Sequence, residues 1–167
     1  MEVYGFLVTA SNGIPIFSRL AEKAPFLGGI RGKELITGFL SAMNLFLEEL
    51  TRRKRKPLCM NVQVQDFALT MRSCDIKSEY RPKSQKILFI LLHSAEDFDA
   101  SKALLTILQN KFLLTYNSAL LLDLVENGEV ISSEEVIEPS FCYLYDKIIR
   151  NFSVRGCEKR TDLEFML

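Results

Sequence analysis

The chain has no excess of either charge. Its 21 Lys and Arg balance 21 Asp and Glu over 167 residues, for a formal net charge of zero. Proteins that bind nucleic acid generally need a basic surplus to displace counterions, so nucleic acid is not expected as a partner. There is a single histidine, His93, and no tryptophan. The four cysteines, Cys59, Cys74, Cys142 and Cys157, form no CxxC pair, and with one histidine they make no zinc set. They read as reduced thiols of a cytosolic protein. No stretch approaches the roughly 20 apolar residues of a membrane span. The start does not read as a leader: Glu2 comes first and the apolar run breaks at Ser11-Asn12-Gly13. Glu2 also rules out glycine myristoylation, and the ending "LEFML" has no cysteine to prenylate. GxxxxGK, HExxH and GxSxG are all missing, so no phosphate loop, zincin site or nucleophile elbow is expected. There is no internal repeat and no low-complexity segment.

What is present is the makeup of one globular domain. Hydrophobic residues are 48% and charged residues 25%, near globular averages. A chain of this length buries roughly 70% of its unfolded surface. The opening "VYGFLVT", residues 3–9, is β-rich. Asn12-Gly13 tolerates the positive φ of a two-residue type I′ turn, and "IPIFSR" is the return strand. Pro15 has no N–H, which places that strand at a sheet edge. Residues 20–32 form a loop whose Phe26 and Leu27 either tuck under the domain or contact a partner.

Leu35, Phe39, Met43, Phe46 and Leu50 recur at helical steps and predict a helix over 33–54, with Phe39 and Met43 packed on the sheet. Its end carries Arg52, Arg53, Lys54, Arg55 and Lys56 before Pro57. Cations suit the negative end of a helix dipole, and the same run could meet anionic lipid or an acidic partner. Residues 58–65 alternate strictly, with Leu58, Met60, Val62 and Val64 on one face and Cys59, Asn61, Gln63 and Gln65 on the other. One side is buried and the other wet but uncharged, the pattern of a marginal strand. "FALTMR", 67–72, is another strand, and 73–86 reads as an exposed, charged hairpin loop holding Pro82. "KILFILLHS", 86–94, has an unbroken apolar core and predicts a central strand covered on both faces. His93 reads as a strand-end residue. Asp99 is a candidate cap for a helical stretch to Gly128, which is either one helix or two broken near Tyr116-Asn117. A last helix begins near Ser132-Ser133 or after Pro139, with Phe141, Leu144, Tyr145, Ile148, Ile149 and Phe152 on its apolar face. Residues 153–167 read as a polar, mobile tail.

The element order is therefore β-β-α-β-β-β-α-α. With the opening "GFLVTASNGIPIFSR" and the helix "LITGFLSAMNLFLEEL", it resembles the longin domain over residues 1–152. The resemblance implies an α+β fold: a profilin-like, three-layer α-β-α sandwich on a five-stranded, mainly antiparallel sheet. Related roadblock-like proteins open with an additional helix, which this sequence does not show. Vesicle SNAREs of the family add a coiled-coil segment, and that pattern is missing too. The resemblance thus implies a stand-alone longin. It would be a non-catalytic, cytoplasmic interaction module, a subunit or adaptor in membrane trafficking or small-GTPase regulation, with no cofactor. Its partner would be a small GTPase, another longin or roadblock-like subunit, or a second copy. The candidate contacts are the edge residues Cys59, Asn61, Gln63 and Gln65, the loop pair Phe26 and Leu27, and the basic run 52–56. The alternatives from other classes are a ligand-sensing profilin-like domain and a peripheral membrane protein using that basic run.

Overall fold

The computed structural model describes residues 1–10, 13–21, 59–64, 67–78, 81–95, 98–127 and 141–152. Five strands form one antiparallel sheet: β1 (Val3–Ala10), β2 (Pro15–Leu20), β3 (Cys59–Val64), β4 (Phe67–Ser78) and β5 (Arg81–Ser94). Their order across the sheet is β2-β1-β5-β4-β3. The hairpin strand β1 and the apolar strand β5 are interior, while β2 and β3 are the edges. Three helices follow: α1 (Phe98–Thr115), α2 (Ser118–Asn127) and α3 (141–152).

The first hairpin departs from the two-residue turn expected at Asn12-Gly13. The Gly13 N–H donates to the Ala10 carbonyl at 2.9 Å, and the Ala10 N–H donates to the Ile14 carbonyl at 2.8 Å. That pairing closes a connection one residue longer. Gly13 is its last residue, with φ at 88°, where a side chain would be strained. A glycine at this position is the signature of a three-residue hairpin with a bulge. The same Asn-Gly pair serves either turn, so the sequence does not separate them.

The segment 73–86 is not a loop. β4 and β5 stay paired from Phe67↔Ser94 out to Ser78↔Arg81, with one irregularity between Ile76 and Ser78. The reason is packing. Cys74 and Ile76 face the helices, Ile76 is buried in the core they share with the sheet, and the intervening Asp75 is exposed. The local composition is polar, but its period is two, and the period decides.

The helical stretch after β5 is broken at the expected position. Asn117 accepts the Leu120 N–H on its Oδ1 at 2.8 Å and so caps α2. Asp99 lies within the first turn of α1 rather than capping it. Ser101, Leu104, Leu105, Leu108 and Phe112 give α1 its buried stripe. Leu121, Leu122 and Val125 do the same for α2, and Phe141 and Tyr145 for α3.

All three helices join one core with one face of the sheet, formed by Phe6, Val8, Ala10, Ile87, Phe89 and Leu91. At its centre is an aromatic cluster. The Phe141 ring lies 5.1 Å from Phe112, 5.2 Å from Phe17 and 6.1 Å from Phe6, centroid to centroid. Phe89 completes it, 5.7 Å from Phe112. Edge-to-face pairs of this kind contribute about 0.5–1.5 kcal/mol each beyond area burial. The other sheet face carries Leu7, Leu69, Met71, Leu88, Ile90 and Leu92, also buried. Both faces of β5 are therefore covered, as its unbroken apolar run requires. The helix expected over 33–54, with Phe39 and Met43, and the tail 153–167 lie outside the described residues. Among the described residues no helix is long and apolar enough to cross a membrane.

Two substitutions test this packing. Phe141→Ala should cost about 3–5 kcal/mol, a fall in Tm of roughly 10 °C by thermal melting. A Cβ on Gly5 would sit 2.5 Å from Leu20 Cδ2 and 2.8 Å from the Arg19 carbonyl oxygen. Gly5→Ala should therefore destabilise by about 1–3 kcal/mol in a denaturant titration, and an unchanged midpoint would refute the close approach of β1 and β2.

Candidate functional site

The two sheet edges differ. β2 begins at Pro15, which cannot donate to a neighbour, and its Arg19 is held to Asp146 of α3 by an exposed ion pair of 3.4 Å. Such a pair adds little stability, but it occupies the side chain. β3 is paired to β4 alone, in the register Cys59↔Arg72, Asn61↔Thr70, Gln63↔Ala68. Cys59, Asn61 and Gln63 are on the side of the sheet that carries α1, because their partner Thr70 touches Ser101 of that helix. Asn61 and Gln63 are exposed, and Cys59 is half-buried. Met60 and Val62, on the opposite side, pack partly against the second core. The structure thus brings three of the four predicted edge residues onto one face. Gln65, Phe26, Leu27 and the run Arg52, Arg53, Lys54, Arg55 and Lys56 lie outside the described residues.

Neither thiol on this face is an activated nucleophile. Burial pushes the Cys59 thiol above its ordinary value, against the opposing pull of Lys102 and Arg72. Burial also raises Cys74, helped by Asp75 and opposed by a hydrogen bond from Gln109. A thiol so shifted stays protonated at neutral pH. Cys59, Cys74 and Cys142 are not joined in disulfides. Among the described residues no group of three or more His, Cys, Asp or Glu side chains could hold a metal ion.

One strand in from the β3 edge is a buried polar chain that the sequence reading missed. His93 Nε2 meets Thr70 Oγ1 at 2.8 Å, Thr70 Oγ1 meets Ser101 Oγ at 2.7 Å, and Ser101 Oγ donates to the Phe98 carbonyl at 2.9 Å. His93 Nδ1 lies 2.7 Å from the Ser94 carbonyl oxygen. Thr70 and Ser101 have no exposure and His93 only 1%. Far from an ordinary strand-end residue, His93 joins β5, β4 and α1. It resembles a hydroxyl–imidazole pair, but a serine buried between two hydrogen bonds is closed to a substrate. The signal in the sequence was weak: three polar residues, each alone in an apolar or helical stretch.

No family model matches the sequence, and no curated protein matches it.

Burial lowers the His93 pKa below its ordinary 6.5, the Ser94 carbonyl pulls the other way, and the amino terminus reinforces the lowering. The unfolded chain therefore binds the proton first. This contribution to stability is complete above pH 6.5 and is lost as pH falls toward the lower folded value. Denaturant titrations from pH 7.5 to 5 should show stability falling faster in the parent than in His93→Gln. Parallel slopes would show that the ring does not sense the fold.

Proposed function

We propose that this chain is a longin-like, non-catalytic interaction module. It serves as a subunit or adaptor in a membrane-trafficking or small-GTPase-regulating complex in the cytoplasm. The α+β architecture supports this reading: an opening hairpin, three meandering antiparallel strands, and helices packed on the sheet. The observation that carries it is the character of β3. An edge strand presents unpaired N–H and C=O groups, and proteins usually guard such an edge with charge, proline or a cover. β3 contains neither a charged residue nor a proline. Among its described side chains the exposed ones are the amides Asn61 and Gln63, which hydrogen-bond without the cost of burying an ion. Main-chain pairing at such an edge gives affinity, and alternate side chains give specificity. The partner is a small GTPase, another longin or roadblock-like subunit, or a second copy of this chain. The run 52–56 supplies a secondary contact to an acidic or anionic surface.

The test places charge on the edge. Asn61→Lys with Gln63→Lys alters exposed positions only, so stability should stay within about 0.5 kcal/mol of the parent. Light scattering after size exclusion, and affinity capture from a cell extract with mass spectrometry, compare the two. The parent should dimerise or capture a specific protein, and the variant should do neither. A parent that stays monomeric and captures the same proteins as the variant would overturn the reading.

A further inference from the structure

The polar chain through His93 has a definite proton count, and the count depends on the charge of the ring. Both ends of the chain are backbone carbonyls, Ser94 and Phe98, which only accept. Nδ1 must therefore carry a proton. In the neutral ring Nε2 is then an acceptor, and the Thr70 hydroxyl donates to it. Only the Ser101 proton remains for two contacts, the one to Thr70 and the one to the Phe98 carbonyl. Three protons serve four contacts, and one is always unmade. Protonation of Nε2 supplies the missing donor. The ring then donates to Thr70, Thr70 to Ser101, and Ser101 wholly to Phe98, so all four contacts are satisfied in one direction.

We propose that His93, Thr70 and Ser101 form a proton-reading clasp: uptake of one proton by the ring reverses the Thr70 hydroxyl and fixes the first turn of α1 to the sheet. The hydroxyl chain lets a buried imidazolium exist inside the folded protein, because the charge gains an aligned acceptor where water is excluded. Among the described residues, the charged groups on the surrounding elements are the Met1 amino group and Glu2 beside β1, Arg72 on β4, and Asp99 and Lys102 on α1. Of these the amino group acts on the ring directly and disfavours its charge. Glu2 is fixed nearby, since its N–H donates to Ser94 Oγ at 2.9 Å and its carbonyl accepts the Ser94 N–H at 2.9 Å. Arg72 is engaged with Thr106 Oγ1 at 3.2 Å.

Because His93 is the only histidine, imidazole nitrogen NMR on the labelled full chain reads it without overlap. At pH 8 the ring should be the neutral tautomer protonated on Nδ1. It should then protonate on Nε2, with a midpoint below 6.5, while the backbone spectrum remains that of the folded protein. Ser101→Ala does not touch the ring, yet it removes the acceptor for the reversed Thr70 hydroxyl. It should lower the midpoint by about half a unit, since the protonated chain loses a bond that the neutral one does not use. Thr70→Val should lower it further, by about one unit, because hydrogen bonds to a charged group are the stronger ones. Thr70→Ser keeps the hydroxyl and should restore the parent midpoint. A Ser101→Ala midpoint equal to or above that of the parent would overturn the clasp, as would a ring that takes no proton until the chain unfolds.

Discussion

The architecture depends on one aromatic contact between elements far apart in sequence. Phe141 comes from the last helix, Phe6 and Phe17 from the first hairpin, Phe89 from the central strand and Phe112 from α1. Each of these rings is fully buried. The helices carry apolar stripes that would be costly to leave in water, but a stripe alone does not fix an angle or a depth. Rings meeting edge to face do, because their quadrupoles disfavour most other arrangements. Tyr116 and Tyr145 extend the cluster at its margin. Burial, with Asp146 adding to it, drives the Tyr145 phenol upward, so the ring stays neutral and packs as a large apolar group.

That cluster also explains why the two edges have different fates. Arg19 is drawn to Asp146 because α3 is fixed over the hairpin, so β2 is tied to a helix and starts with a proline. β3 is the opposite edge, separated from β2 by the three strands β1, β5 and β4. Nothing comparable ties it down among the described residues: Asn61 and Gln63 are exposed, and Met60 and Val62 are only half-buried. Partner pairing at β3 would extend the sheet in the direction away from the rigid aromatic core.

The strands were legible where period and composition agreed. β5 declared itself as interior through six consecutive apolar residues, and β3 as marginal through strict alternation with uncharged polar partners. The break at Tyr116-Asn117 was legible because asparagine caps helices readily. The distal β4–β5 hairpin was not, since its charges suggested a loop while the two-residue spacing of Cys74 and Ile76 meant a strand. At the β3 edge the alternation marked Asn61 and Gln63, which are exposed, while Cys59 is half-buried and Gln65 lies outside the described residues. The polar chain was not marked, because a hydrogen bond between Thr70, His93 and Ser101 is a property of register and helix docking. Each residue alone shows only an isolated polar group in an apolar or helical stretch.

The position of that chain follows from the same register. Thr70 pairs with Asn61 on the β3 side and neighbours Leu91 on the β5 side, while its neighbour Ala68 pairs with His93. The buried hydroxyl is thus one strand in from the exposed amide. Moreover, Lys102, next to Ser101 in the helix, acts electrostatically on Cys59 at the start of β3. Buried polar chains of this kind are costly to keep unless every member is satisfied. This one becomes fully satisfied only with an extra proton. Replacing His93 alone by an apolar residue would take from the buried Thr70 hydroxyl one of its two hydrogen-bond partners, which is itself costly. The members of the chain come from β4, β5 and α1, one strand in from β3, whereas the aromatic cluster that holds the domain together draws on β1, β2, β5, α1 and α3.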